Sequence, residues 1–412
     1  MKLVLRLLLI AIAQVSAIEI RIDYTYDTQG FFEQPGSKEA LRAVADHFEV
    51  MLADQLTAII PEGVNEWDPG FFHPATGNYV TPPELHNMVV PENTLVVFVG
   101  GRVFSGPAIG SGGPGGFSLR ATASWAENLK YRGQAGASAT PARDFGPWGG
   151  AMSFDSGEQW NFTTNGRPAN NRSDFTAIAI HEMTHLLGFG TCDSFDDYIL
   201  DTGTSYLFAG PASREVWGVD VPLHGDGGHW REDGQCQSPL GYNPANPNNV
   251  LSLSFHGFGK PHGVPQIAIM DPSACTIVSA TSLQVLTDLD LAGLRDVGWE
   301  VEPPAKLDEA TVASTTSTFT WPTTSGISYS LRRSTNLMSW TDLSGPSPGD
   351  GTSKSFVDPN PPPGRAFYQL VANPPSQGAP LTRAHAPSAG SVLSENFVPR
   401  VANGCGHCPC CN

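Results

Sequence analysis

The chain has 412 residues and a formal net charge of −17 at pH 7. This length leaves room for two or three domains, and the negative charge argues against nucleic acid and anionic membrane surfaces as partners. Seven cysteines would suggest disulfides in an exported chain, although the number is odd and four of them lie in the last eight residues.

The N-terminal segment, residues 1–17, has the organisation of a secretory signal peptide. Lys2 and Arg6 give it a basic start, an apolar run reaches Ala13, and Val15-Ser16-Ala17 supplies small residues before a cleavage point. The run is too short to span a bilayer, and no later segment is long and apolar enough to do so. We therefore expect a secreted protein that begins near Ile18.

The next segments predict a layer of strands and helices. Apolar and polar residues alternate from Ile18 to Tyr24, as in a half-buried strand. A helix is expected to begin at a capping Ser37 and to end before Pro61. The β-branched run Thr94 to Val99 predicts a central strand. Strand, helix and strand in this order indicate an α/β layer.

Residues 100–116 are rich in glycine and formally contain G-x-G-x-x-G. A dinucleotide site would need a helix directly afterwards, and Pro114 with the following glycines argues against one. We expect a flexible surface loop here. The later run Ala151 to Phe154 predicts a short edge strand, which would either pair with an extended peptide substrate or be an ordinary edge.

The stretch from Ser173 to Gly188 carries the clearest chemical signal. Capping residues at its start, a closing glycine and the lack of proline predict a helix. His181 and His185 then lie on one face, about 5–6 Å apart at Cβ, with Glu182 beside them. This H-E-x-x-H pattern is typical of zinc hydrolases. The apolar residues around it disfavour a chance group of surface side chains, because burying these polar groups without a metal is costly.

In such a site the metal lowers the pKa of a water molecule to about 7 and polarises the substrate carbonyl, while the glutamate moves the proton. Catalytic zinc needs three protein ligands and one open position. The third ligand must therefore come from elsewhere in the chain.

His181-Glu182-x-x-His185-x-x-Gly188 resembles the extended motif of the metzincin metallopeptidases. The resemblance implies Zn²⁺ and an α/β (α+β) catalytic domain with a twisted mixed sheet and an active-site helix. In that motif the third ligand normally comes three residues after the glycine, where this chain has Thr191, a poor zinc ligand. The sequence thus departs from the plain matrixin or serralysin pattern.

The leishmanolysin branch of the metzincins has a long insertion, then a third histidine in Gly-x-His-Trp, then a methionine turn. This chain is similar in having Gly227-Gly228-His229-Trp230 and later Met270. The resemblance implies His229 as third ligand and Met270 as turn methionine. His262, eight residues before Met270, is the alternative, because that spacing resembles matrixins. His224, His256 and Asp193 are weaker candidates.

A capped helix predicted from Thr287 to Trp299 ends a catalytic domain that covers residues 18–301. A linker is expected at 302–316 and a small all-β sandwich at 317–372, with Trp321 and Trp340 in its core. The sandwich resembles modules appended to exported bacterial proteins. Its role would be adhesion, substrate binding or spacing. Residues 373–412 are predicted to be a disordered, cysteine-rich tail that could bind a soft metal, form disulfides or tether the protein.

The sequence therefore predicts a secreted zinc endopeptidase acting on proteins or peptides, with Glu182 as general base and then acid. The alternative is a secreted adhesion or binding protein that keeps the metzincin scaffold without catalysis. A zinc hydrolase with another kind of substrate is also open, since H-E-x-x-H determines the water chemistry and not the leaving group. The sequence predicts no oligomeric state.

Overall fold

The computed structural model divides the chain into two compact units. The larger comprises Ala17–Glu302 with Pro387–Asn412, and the smaller contains Pro303–Ala386. The structure describes residues 18–134, 136, 144–162, 172–231, 267–274, 284–301, 309–312, 316–323, 328–334, 341–345, 347–348, 352–362, 367–373, 392–397 and 406–407. The predicted signal peptide and His262 lie outside these ranges.

The larger unit mixes strands and helices. None of the helices in these ranges has the length and apolar character that a membrane span requires. In chain order the elements are β1 (Glu19–Asp23), α1 (Ser37–Met51), β2 (Glu66–Phe72), β3 (Tyr79–Val80), β4 (Thr94–Arg102), β5 (Gly110–Pro114), β6 (Gly116–Thr122), α2 (Ala123–Tyr131), β7 (Gly149–Asp155), β8 (Trp160–Asn161), β9 (Ser173–Asp174), α3 (Phe175–Leu186), α4 (Asp193–Asp196), β10 (Ile199–Asp201), β11 (Tyr206–Phe208), α5 (Pro211–Trp217), β12 (Val221–Pro222), β13 (Ile267–Ala268), β14 (Ser273–Ala274), β15 (Gln284–Val285) and α6 (Asp288–Asp296).

A four-stranded mixed sheet with the order β1-β4-β7-β5 forms the centre of this unit. The first three strands are parallel, and β5 runs antiparallel to β7. Alternate residues of β4 enter different cores: Leu95, Val97 and Val99 belong to the core that also contains α1 and α3 residues, whereas Val96 and Phe98 belong to a second core. This confirms the predicted central strand and the mixed α/β fold.

The segment Ala151–Phe154 lies inside β7, and the prediction that it is an edge strand is wrong. Its backbone pairs with β4 on one side and with β5 on the other. A strand that is apolar on both faces cannot be distinguished by its residue pattern as interior or edge. Strand β7 is interior because β5 pairs with it. The glycines of β5 predicted a loop, so this pairing was not expected from the sequence.

The glycine-rich segment is also not a loop, since residues 110–114 form β5. Its glycines are explained by the helix beneath it. A Cβ atom on Gly110 would overlap the carboxylate oxygen Oε1 of Glu182, and one on Gly112 would overlap the Glu182 carbonyl oxygen. Only residues without a side chain let the strand lie directly against α3.

Helix α1 begins differently from its prediction. Gly36, in the left-handed region with φ 86°, is the N-cap, and Ser37 is the first helical residue. The Ser37 hydroxyl donates hydrogen bonds to the carbonyl oxygens of Phe32 and Gln34 instead of capping the helix. The helix ends at Met51, well before Pro61.

In its described residues, the smaller unit forms two antiparallel sheets. Its strands are β16 (Glu309–Val312), β17 (Ser317–Pro322), β18 (Ser328–Ser334), β19 (Thr341–Asp342), β20 (Ser347–Pro348), β21 (Ser353–Asp358) and β22 (Phe367–Asn373). One sheet has the order β16-β17-β21, and in the other β18 pairs with β19, β20 and β22.

Residues of both sheets share one apolar cluster, as in a β-sandwich. Phe319 and Trp321 come from one sheet, and Tyr329, Leu331 and Leu370 come from the other. Trp321 is therefore in the core, whereas Trp340 lies outside the described residues. Strand β16 lies within the segment that the sequence assigned to a linker.

Two short strands of the C-terminal segment pair with the larger unit. Strand β23 (Val392–Phe397) runs antiparallel to β6, in a sheet ordered β23-β6-β2-β3, and Phe397 stacks on Phe117 with ring centroids 5.4 Å apart. Strand β24 (Gly406–His407) pairs with β14. At these residues the structure differs from the predicted disorder. The four tail cysteines lie outside its described part.

Candidate metal centre

Helix α3 carries the first two histidines in a fully buried setting. Every residue from Phe175 to Leu186 is buried, and the Asp174 side chain caps the helix by accepting hydrogen bonds from the Thr176 and Ala177 backbone N–H groups. After the helix, Gly188 has a φ of 106°. Only glycine adopts that angle without strain, so the chain can turn sharply there.

Three imidazoles converge beside this helix. The Nε2 atom of His181 lies 3.0 Å from that of His185 and 3.2 Å from that of His229. The Nε2 atoms of His185 and His229 are 3.1 Å apart. The structure therefore brings together the three histidines that the sequence predicted as ligands.

Each of the three rings donates a hydrogen bond from its other nitrogen. His181 Nδ1 is 2.6 Å from the Ile269 carbonyl oxygen and His185 Nδ1 is 2.8 Å from the Phe189 carbonyl oxygen. His229 Nδ1 is 2.8 Å from Asp226 Oδ2. Carbonyl and carboxylate oxygens only accept, so each Nδ1 carries a hydrogen. In the neutral ring each Nε2 is then an unprotonated lone-pair donor.

Burial favours the neutral form of the two histidine rings on α3. Desolvation, together with electrostatic interaction with His229, lowers the pKa of His181 to about 3. Desolvation and the neighbouring imidazoles hold the pKa of His185 well below its ordinary value. Three lone pairs at this separation repel one another unless a cation lies between them. Tetrahedral zinc with Zn–N bonds of about 2.0–2.1 Å places its nitrogens about 3.3 Å apart, so the donor set fits this ion.

Glu182 follows His181 directly and is also completely buried. Its carboxylate lies against Gly110 of β5, where a side chain would overlap Oε1. The glutamate is thus enclosed between its own helix and the edge strand of the sheet.

His229 reaches α3 on a tight hairpin formed by residues 223–230. Leu223 and Trp230 form an antiparallel bridge, and the His224 N–H donates to the His229 carbonyl oxygen at 2.9 Å. Gly227 has a φ of 74° at the turn. The turn points Asp226 back towards the His229 ring.

A buried carboxylate, Asp290, connects this hairpin to the segment around Met270. Asp290 Oδ1 accepts hydrogen bonds from Trp230 Nε1 at 3.0 Å and from the Met270 N–H at 3.2 Å. Oδ2 accepts one from the Ile269 N–H at 3.0 Å. The Met270 carbonyl oxygen accepts from the Trp230 N–H at 3.0 Å. Asp290 thereby holds Ile269, whose carbonyl oxygen orients His181.

Sequence reasoning missed the roles of Asp226 and Asp290. Asp290 does complete the predicted capping box with Thr287, but the capping pattern gives no sign of its contacts with Trp230 or Met270. Asp226 stands three residues before His229, and this short spacing to a candidate ligand was the only available signal.

Among the described residues, the other ligand candidates Thr191, Asp193 and His224 do not join the three histidines. His256 and His262 lie outside the described residues. Thr191 donates its hydroxyl to the His185 carbonyl oxygen at 2.6 Å, a structural contact. Asp193 begins α4 and is exposed. His224 lies beside Asp226, with its Nδ1 3.1 Å from Oδ2.

A family model described as Matrixin matches residues 125–200, a segment that contains α3 and both of its histidines. No curated protein and no solved structure matches the chain. The match ends before His229, so the third ligand and the leishmanolysin-like motif stay predictions. Together with the three-histidine group, it supports the interpretation of the chain as a metzincin-type zinc metallopeptidase.

Proposed function

We propose that this chain is a secreted zinc endopeptidase. His181, His185 and His229 hold the zinc ion, and Glu182 is the general base and then the general acid. The observation that carries the proposal is the convergence of three histidine Nε2 atoms within 3.0–3.2 Å of one another. A buried carboxylate directly follows the first of these ligands in the sequence.

Bound zinc would polarise the peptide carbonyl and make a water molecule acidic near neutral pH. Glu182 accepts the proton of the attacking water and passes it to the leaving amine. The enclosed position of its carboxylate limits competing hydrogen bonds with solvent. Because water attacks directly, no acyl-enzyme forms.

Strand β5 supplies a docking edge for an extended peptide. It is the terminal strand in the order β1-β4-β7-β5, and its residue Gly110 lies against the Glu182 carboxylate. A peptide that adds to this edge by backbone hydrogen bonds would pass close to the glutamate. The edge that the sequence assigned to Ala151–Phe154 is thus provided by β5.

Export through the signal peptide at residues 1–17 is part of the proposal and rests on the sequence alone. The substrate is a protein or peptide, as in the peptidase family whose model matches. The β-sandwich unit would bind the substrate or a surface, or act as a spacer.

The test is hydrolysis of an unfolded protein by the purified chain and by its Glu182→Gln variant. We expect the wild type to cleave the protein. The rate of the variant should be lower by about 10²–10⁴-fold, which is the usual contribution of proton transfer by a positioned side chain. Zinc content should be equal in both. Glu215→Gln, which changes an exposed glutamate on α5, is the matched control and should behave as the wild type.

Equal cleavage by the wild type and Glu182→Gln would contradict the role of Glu182. A zinc-loaded chain that cleaves no protein or peptide would favour the adhesion or binding alternative. Turnover of esters without cleavage of peptides would point to a different zinc hydrolase.

A further inference from the structure

The three converging imidazoles are not held in the same way. His181 and His185 donate from Nδ1 to backbone carbonyl oxygens, those of Ile269 and Phe189. His229 donates to a side-chain carboxylate, Asp226. Among the three, His229 is therefore the one whose second nitrogen faces a negative charge.

The Asp226 carboxylate is itself held in place. Oδ2 lies 2.8 Å from His229 Nδ1, and Oδ1 accepts a hydrogen bond from the Gly228 N–H at 2.9 Å. His224 Nδ1 approaches the same Oδ2 at 3.1 Å. Both carboxylate oxygens thus have partners within the hairpin, and these contacts fix the direction from which Oδ2 meets the ring.

A histidine on a hairpin needs such support more than one on a helix. A neutral imidazole carries its hydrogen on either nitrogen, and the form with hydrogen on Nε2 has no lone pair there for a metal. The carboxylate acceptor stabilises the form with hydrogen on Nδ1. It also places a negative charge beside a ligand set that otherwise consists of imidazole rings, which raises the basicity of the ligand.

We propose that Asp226 is the positioning residue of the third metal ligand. It holds His229 in the tautomer and ring orientation that direct Nε2 towards His181 and His185. This inference rests on the proposed metal site and adds a residue that the metal-binding motif does not include.

Asparagine cannot replace Asp226 in this arrangement. The carboxylate accepts from two N–H groups on different oxygens, His229 Nδ1–H on Oδ2 and Gly228 N–H on Oδ1. Asparagine has a single acceptor oxygen, so one of the two donors would face its NH₂ group. If the NH₂ group faces His229, it favours the tautomer that cannot bind the metal through Nε2. If it faces Gly228 instead, the Gly228 N–H loses its acceptor and the side chain loses a contact that holds it in place. Both Asp226→Asn and Asp226→Ala should therefore weaken zinc binding.

The first measurement is zinc affinity by competition with a chelator, made on the full chain. We expect a loss of about 10–100-fold in Asp226→Ala and Asp226→Asn, the usual effect of removing such a partner. The matched control is Asp201→Asn. Asp201 is exposed and also accepts from the N–H two residues later, that of Gly203 at 2.7 Å, but it is not among the residues that could form the metal cluster. Its variant should bind zinc as the wild type does.

The second measurement needs no metal. Nitrogen-15 NMR of labelled histidine side chains in the zinc-free chain should show His229 with its hydrogen on Nδ1. This signature should be lost in Asp226→Ala, weakened in Asp226→Asn and kept in Asp201→Asn. Thermal unfolding of the zinc-free variants shows whether they remain folded. A change of the His229 tautomer in a variant that is still folded is not expected from a purely structural role.

Affinities of both Asp226 variants within about threefold of the wild type, or an unchanged His229 tautomer, would overturn the inference. A wild-type chain that takes up no zinc would instead contradict the proposed function. In that case the tautomer of the zinc-free chain would still decide the role of Asp226, so the two failures are distinguishable.

Discussion

The two parts of the candidate metal centre are built on different principles. On α3, His181 and His185 lie one helical turn apart, and each donates to a backbone carbonyl oxygen. On the hairpin of residues 223–230, His229 is oriented by an aspartate side chain. The helix fixes the spacing of its ligands by local geometry, whereas the hairpin depends on contacts with distant segments.

The hairpin is attached to the rest of the unit through Trp230. This side chain donates to Asp290, and its backbone N–H donates to the Met270 carbonyl oxygen. Sequence separation explains why the two parts differ in predictability. A pattern at i and i+4 on a helix predicts the geometry of both ligands locally. For a ligand from a distant segment, a short motif indicates the residue, but its contacts depend on how the segments pack.

The largest effect is expected from a substitution that removes the metal ligand on the hairpin. His229→Ala should lower zinc affinity more than Asp226→Ala does. Removing the hydrogen-bond partner of a ligand costs about 10–100-fold in affinity, whereas this substitution removes the ligand itself. Hydrolysis of an unfolded protein should then fall to background. Zinc content after dialysis and the rate of hydrolysis are the two measurements.

His262→Ala is the control for this prediction, and it should keep both zinc and activity. The reverse result, with zinc lost in His262→Ala and kept in His229→Ala, would show that the third ligand comes from the other histidine.

The next effect concerns the connection between the two parts. Asp290→Ala removes the acceptor for Trp230 Nε1 and for the backbone N–H groups of Ile269 and Met270. Each buried donor without an acceptor costs about 1–3 kcal/mol, so the loss of these three contacts should lower the free energy of unfolding by at least about 3 kcal/mol. Urea denaturation measures this loss.

Zinc affinity should fall together with stability in Asp290→Ala, since the contacts of both His181 and His229 depend on this carboxylate. Glu215→Gln again provides a neutral comparison. A stability change below about 1 kcal/mol would mean that water replaces these hydrogen bonds, as a partly open site would allow.

The smallest effect concerns the helix part. Asp174→Ala removes the N-cap of α3, which accepts from the Thr176 and Ala177 N–H groups. Loss of such a cap costs about 1 kcal/mol of stability. Since packing holds the rest of this buried helix, zinc affinity should change less than in Asp226→Ala. A larger change in affinity would show that the helix ligands also depend on support outside their own turn.

Much of the larger unit could be predicted because its signals are local. The alternation from Ile18 to Tyr24, the β-branched run at Thr94 and the capping box at Thr287 each correspond to the expected element. The predictions for β5 and β7 were wrong because the structure of each segment depends on the neighbouring segments that pack or pair with it. The glycines of β5 resemble a loop until α3 is seen beneath them, and β7 resembles an edge until β5 is seen beside it.

By itself, the sequence determined the spacing of His181, Glu182 and His185, because one helical turn defines their common face. It also indicated His229 through the Gly-x-His-Trp context. Tertiary structure alone decided that three Nε2 atoms meet, that Asp226 orients the third ring and that Asp290 joins Trp230 to Met270. The physical reason is that hydrogen bonds between distant segments depend on how the whole unit packs.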